Sequence, residues 1–279
     1  MDTPHEQVLQ SAGLSPLMCA NDNRQSAPQE CYQSTAFYGN ETHCSEQPCL
    51  AQYNLKQGRT LGQGGFGVVY AACTEDDKSC PAVVKASLNP LNDEVEIYEK
   101  ASAADAAPRF RQYDKQCVMK DGSVFQLLIT DRYDFTLDDF LNQPVHDVLQ
   151  RSDIVCAYIV KRILALVDIL YERVGIMHGD LNEKNIVLRC VAWREAICYS
   201  SSVGDKHQQQ SVVKQIEADP QSMLDVRFID FGIVKSKANT KHFKKEFTRH
   251  RDEVTAYFTW RLGEWRSEKN NVALTEIVK

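Results

Sequence analysis

The chain has 279 residues, with 32 Lys+Arg against 38 Asp+Glu for a formal charge of −6, and 43% of it is apolar. That composition suits a globular protein with core enough for one large or two modest units, and it excludes collagen, a coiled coil or disorder throughout. The most apolar region, Asp153 to Met177, is broken by Lys161, Arg162, Asp168, Glu172 and Arg173, so no membrane-spanning helix is expected. Met1 to Glu6 lacks the basic start and apolar run of a signal peptide, so a reducing compartment is expected. With it goes the expectation that the ten cysteines are mostly free, partly buried thiols. A zinc site from Cys31, His43, Cys44 and Cys49 is the sharper alternative, although its spacings match no compact finger.

Residues 1 to about 50 are rich in Gln, Ser, Asn, Pro and Cys and show no sustained periodicity, which predicts a flexible polar extension. From Tyr53 the pattern reads as strand, glycine-rich turn and strand, the second strand being Val68 to Ala72. Thr74 to Lys78 then forms a hairpin loop and Pro81 to Ala86 a third strand. Asn92 is placed to cap a helix with Glu94, Ile97, Tyr98 and Ala101 on one face. Val124 to Thr130 reads as a buried strand, Leu137 to Leu141 as a short helix, and Ile154 to Val174 as a long helix with a wide apolar stripe. A polar insertion spans about 191–224, and Val226 to Ile229 is a short strand after it.

Four motifs carry chemistry. The first, Gly62-Gln63-Gly64-Gly65-Phe66-Gly67-Val68-Val69, lies between two strands, where glycines allow positive φ and let backbone N–H groups approach phosphate oxygens. A dinucleotide fold would want a helix immediately after the glycines, whereas Val68-Val69-Tyr70 favours a strand. The second is Lys85 in the third strand with Glu94 in the following helix. A lysine on a buried strand is costly unless paired, and Glu94 and phosphates are suitable partners. The third is His178-Gly179-Asp180-Leu181-Asn182-Glu183-Lys184-Asn185, directly after the long helix, and the fourth Asp230-Phe231-Gly232. One carboxylate to orient a hydroxyl, an Asn five residues later and a second carboxylate after a strand are the parts that hold metal ions on a triphosphate.

Together, in this order, the motifs resemble the protein-kinase superfamily from about Tyr53 to Trp265. The resemblance implies an α+β, bilobal kinase-like fold: the extension at 1–50, a β-rich N-lobe at 51–134 carrying the glycine loop, Lys85 and the Glu94 helix, and a truncated helical C-lobe at 135–279. It implies ATP and Mg²⁺ as cofactors. Leu61, Gly62, Gly64, Gly65, Phe66 and Gly67 would lie over the nucleotide, with Val69 and Val83 above the adenine. Lys85 would contact the phosphates and pair with Glu94. Thr130 would precede a hinge at Asp131 to Asp134, with Asp131 and Tyr133 touching the nucleotide. Asp180 would be the catalytic base, Lys184 would reach the transferred group, Asn185 and Asp230 would bind metal, and Phe231 would be a packing switch.

The departures are equally specific. His178-Gly179-Asp180 lacks the arginine that usually meets an activation-loop phosphate, so activation by loop phosphorylation is not expected. Asn182 stands where Ser/Thr kinases often carry a lysine. No Ala-Pro-Glu follows Gly232, and only 47 residues remain after it. Arg251 to Trp260 would form the central helix of the second lobe, with Asp252 bracing the catalytic loop. Such trimmed kinases resemble those of large DNA viruses and secreted bacterial effectors, which implies a cytoplasmic or host-cell location, or association with a virion. The implied reaction is phosphorylation of a protein hydroxyl, Ser or Thr. The alternatives are a small-molecule kinase of the aminoglycoside or choline type, or a nucleotide-binding pseudokinase scaffold. Lys235 to Arg251 holds seven Lys+Arg and one acid, Glu246, which is either a solvated loop or a docking site for an acidic or phosphorylated partner. No membrane and no nucleic-acid partner is expected. A lobe so short calls for an activating partner.

Overall fold

The computed structural model describes residues 47–64, 67–74, 80–119, 122–142, 152–190, 213–237 and 242–264. They form an α+β protein that divides into two compact units. One takes in the described residues of 47–90 and 111–132, the other those of 91–110, 133–190 and 213–264. The helix that carries Glu94 therefore belongs to the second unit. Among the described residues no helix is long and apolar enough to cross a membrane.

The first unit is a five-stranded antiparallel sheet with strand order β1-β2-β3-β5-β4: β1 Lys56–Gly64, β2 Gly67–Cys73, β3 Ala82–Ser87, β4 Phe110–Val118 and β5 Val124–Asp131. Side chains alternate across a strand, so each strand offers one set of residues to the core. Tyr70 and Ala72 of β2, Ala82, Val84 and Ala86 of β3, and Leu127 and Ile129 of β5 form that set. Leu50 and Cys49 close it from a short helix, α1 Pro48–Ala51, so the N-terminal extension is anchored at its end. Cys49 is disulfide-bonded to Cys117 of β4, and Cys73 to Cys80 across the β2–β3 loop. This corrects the expectation of free thiols for those four. The cause is tertiary, since docking α1 on the sheet brings the Cα atoms of Cys49 and Cys117 to 5.1 Å. It also removes Cys49 as a zinc ligand, while Cys31, His43 and Cys44 lie outside the described residues. Cys156 is a buried free thiol, as expected.

In the second unit, α2 Asn92–Ala103 begins one residue earlier than a cap at Asn92 would allow. Leu91 flanks it, without a side-chain cap, and Asp93 and Glu94 in the first turn complement the helix dipole. The long helix α4 Asp153–Ile169 is capped by Ser152, whose hydroxyl accepts from Val155 N. It runs on as a π turn, Leu170–Val174, and stops at Gly175, whose φ of 78° reverses the chain. Two small antiparallel sheets follow. β7 Ile176–His178 pairs with β10 Val234–Ser236, and β8 Ile186–Cys190 lies between β6 Phe135–Thr136 and β9 Leu224–Phe228. A short α3, Leu137–Asn142, follows β6, and a second, α5 Pro220–Met223, precedes β9. Part of the expected insertion is thus ordered, with residues 213–218 helical and Ile216 fully buried. The last helix, α6 Phe243–Glu264, is tied to α4 by Arg251 on Asp168 (2.7 Å), and Phe243 and Phe247 stack on Tyr171.

Candidate functional site

In the first unit, the strand register puts several candidate residues on one side of the sheet. Val69 pairs with Lys85, Ala71 with Val83, Val83 with Thr130, Lys85 with Leu128, and Gly62 with Val69. Residues directly opposite in a ladder share a face. Val69, Val83, Lys85 and Thr130 therefore line the side away from the Tyr70–Val84 core. The turn above them closes with Gly64 opposite Gly67, and Gly65 and Phe66 lie outside the described residues. Gly67 is required by packing: its φ is +129°, and a Cβ would meet the Ala86 carbonyl oxygen at 2.2 Å. At Gly62 and Gly64 a Cβ would meet nothing within 4 Å. Leu61 beside them is exposed. Asp131 holds Arg111 at 2.6 Å, which commits its carboxylate.

In the second unit, β7 delivers His178 and the turn after it delivers Asp180. His178 is buried. Its Nδ1 accepts the Asp180 N–H (3.3 Å), so its Nε2 carries the proton and donates to the Ile229 carbonyl (2.9 Å). Burial pushes its pKa below the ordinary 6.5, against the pull of that hydrogen bond and of Asp230 and Asp180. Asp180 is held from both sides. The Asn182 amide donates to its Oδ1 at 3.1 Å, and the Asn185 amide donates to its main-chain oxygen at 2.7 Å and its Oδ2 at 3.2 Å. With both amide hydrogens directed at Asp180, Asn185 has its carbonyl oxygen left as a ligand. Asn182 also accepts the Lys184 N–H at 2.9 Å, which nucleates the 3₁₀ turn Glu183–Asn185. The Lys184 side chain is exposed, and no carboxylate pairs with it among the described residues.

The Asp230 turn is clamped to this loop. Ile229 N–H donates to Asn185 O at 3.0 Å while Ile229 O accepts from His178. Asp230 then takes a left-handed φ of 62°, which is sparsely populated for a side-chain-bearing residue and is found where surroundings impose it. Phe231 is buried against His178 and edge-on to Tyr98 of α2. One turn earlier on that helix, the buried Glu94 carboxylate reaches the same place. Asp230 Oδ1 and Glu94 Oε2 lie 3.5 and 3.6 Å from where a Cβ on Gly232 would sit. Tyr133, a proposed hinge residue, donates its hydroxyl to Asp225 at 2.5 Å and lies under Arg189, so only its main chain is left for a ligand.

Four residues that support the site, Asn182, Glu183, Tyr257 and Arg261, are not legible as such in the sequence. Asn182 enters the sequence only as a departure from a lysine, although an Asn whose side chain accepts the main-chain N–H two residues on is a recognisable turn cap. Glu183 accepts from Tyr257 at 2.6 Å and Arg261 at 2.8 Å of α6. Burial opposes its charge, but these hydrogen bonds outweigh it and hold the carboxyl below its ordinary value. Asp252, expected to brace the loop, is exposed. It lies off the face that carries Val254, Phe258 and Leu262 inward, and Tyr257 and Arg261, one turn apart, brace the loop instead.

The donors at Asn185 and Asp230 are all oxygens, the chemistry Mg²⁺ prefers. Among the described residues no group of three or more His, Cys, Asp or Glu could hold a metal alone. An ion there would need oxygens from a ligand, as Mg²⁺ on a nucleotide has. The open space over Gly62 and Gly64 fits a ligand that approaches the backbone closely. No family model matches the chain. Over 157 residues it is 26% identical to nucleosomal histone kinase 1 of Drosophila melanogaster, a match covering 50% of this chain and 25% of that protein. The matched stretch is thus about a quarter of the relative's length, and it points to a distant relationship with a protein kinase, hence a phosphotransferase.

Proposed function

We propose that the chain is an ATP- and Mg²⁺-dependent protein kinase, with two units that correspond to the β-rich and helical lobes of such an enzyme, acting on a Ser or Thr hydroxyl. The observation that carries this reading is Asp180, held by Asn182 and Asn185 and joined through Ile229 to the strained Asp230. When bound, Mg·ATP supplies the phosphoryl group and the charge neutralisation for its transfer. Asp180 orients the acceptor hydroxyl and takes its proton, and its fixed oxygens reduce the reorganisation needed. Asn185 and Asp230 offer oxygens to the metal, Lys85 offers positive charge to the phosphates, and Gly62 and Gly64 let main-chain N–H groups come close. Lys184 is exposed and able to reach an acceptor. Asp131 and Tyr133, whose side chains are engaged, contribute main-chain groups to the adenine.

Gly179 and Asn182 also agree with a small-molecule kinase, because neither supplies the basic residue that protein kinases commonly carry there. An acceptor screen separates the two: purified chain with labelled ATP and Mg²⁺ is offered casein, a basic protein, choline and aminoglycosides. Label in protein supports the proposal, and label confined to small molecules replaces it. ATP binding without transfer to any acceptor would leave the scaffold reading.

A further inference from the structure

The chain carries a net charge of −6, yet one surface is cationic. Lys235 of β10 reaches Glu246 in the first turn of α6 at 3.5 Å, which fastens the strand beside the start of that helix. Around this junction Lys237, His242, Lys244, Lys245 and Arg249 are exposed. Three carboxylates of this region are already engaged, Glu246 on Lys235, Glu253 on Arg249 and Asp168 on Arg251. Among the described residues no carboxylate pairs with Lys237, Lys244 or Lys245. His242, Phe243, Lys244, Lys245 and Thr248 line a shallow open concavity of about 520 Å³.

This surface begins next to the candidate base. Val234 pairs with His178 in the β10–β7 ladder, two residues before Asp180, and Gly179 N–H donates to Ile233 O at 2.8 Å. We propose that the cationic surface docks an acidic peptide segment of the protein acceptor. The docking role rests on the phosphotransfer reading, whereas the binding does not. Uncompensated lysines on a chain of opposite net charge steer and hold a polyanionic segment. A nucleic acid fits less well, since the aromatic rings here are not available for bases to stack on: Phe243 and Phe247 lie against Tyr171.

The test is fluorescence anisotropy with the full chain, without ATP, against three labelled probes: a short Asp/Glu-rich peptide, its Asn/Gln counterpart, and a single-stranded oligonucleotide of equal charge. The acidic peptide binds and the neutral one does not. The Lys244→Glu/Lys245→Glu variant, with an unchanged melting temperature because both positions are exposed, binds about tenfold more weakly. Added salt weakens the wild-type complex. Equal binding of the neutral peptide, an unaltered variant, or a preference for the oligonucleotide overturns the proposal. In transfer assays the variant raises KM for an acidic acceptor about tenfold, with kcat and KM for ATP unchanged. A chain that binds the peptide but transfers nothing refutes the phosphotransfer reading alone; one that transfers but ignores peptide charge refutes the docking alone.

Discussion

At the scale of single residues, Gly179 explains the chief departure from the kinase pattern. The arginine that the resemblance would put there has no room for its first carbon, because a Cβ at 179 would lie 2.7 Å from the Ile233 carbonyl oxygen and 3.0 Å from the Ile233 side chain. The chain leading into β10 passes too close behind it. Gly179→Ala is therefore expected to cost about 1–3 kcal/mol in urea unfolding, the usual penalty for forcing atoms into a packed site. His178 gives a second residue-level expectation. Its folded-state pKa lies below 6.5, so between that lowered value and 6.5 the unfolded chain binds more protons, and stability rises with pH across the window. His250 of α6, also lowered chiefly by burial, adds the same sign. Urea midpoints should climb from about pH 5 to about pH 7 and climb less in His178→Gln. A flat profile in the wild type would contradict the buried, neutral imidazole.

Among the elements, α6 matters for what it fixes. Tyr257 and Arg261 hold Glu183, and Glu183 sits in the turn that carries Asn182, Lys184 and Asn185. Arg261→Ala leaves a largely buried carboxylate with one partner fewer, at about 1–3 kcal/mol. It should lower kcat, because the turn it loosens carries Asn182 and Asn185, which hold Asp180. The strands at 67–73, 82–87 and 124–131 were legible as short β-branched and apolar runs, and the helix running to Val174 by its 3.6-residue apolar stripe. β4 was not, since it is an edge strand with a single buried residue, Cys117, and no apolar alternation. α1 was hidden inside a polar tail. The Asp180, Asn185 and Asp230 motifs could be read from local spacing. The Glu183–Arg261 and Cys49–Cys117 links could not, since 78 and 68 residues of chain separate the partners.

At the scale of the molecule, the second unit is held together around its long helices. The continuous run of α4 into the π turn, the Arg251–Asp168 pair and the Tyr171–Phe247 stack bind α4 to α6. Asp180, Asn185 and Asp230 lie in the second unit, and the first carries the glycine turn and Lys85 on its own sheet face. The proposed role of Asp180 is to act on an acceptor hydroxyl during phosphoryl transfer. The most direct measurement is the initial rate of transfer from γ-labelled ATP with Mg²⁺, comparing wild type with Asp180→Ala and Asp230→Ala, each confirmed folded by its melting temperature. The wild type should show Mg²⁺-dependent transfer and each variant a loss of at least about a hundredfold. Equal rates in all three, or none in the wild type with any acceptor, would contradict it.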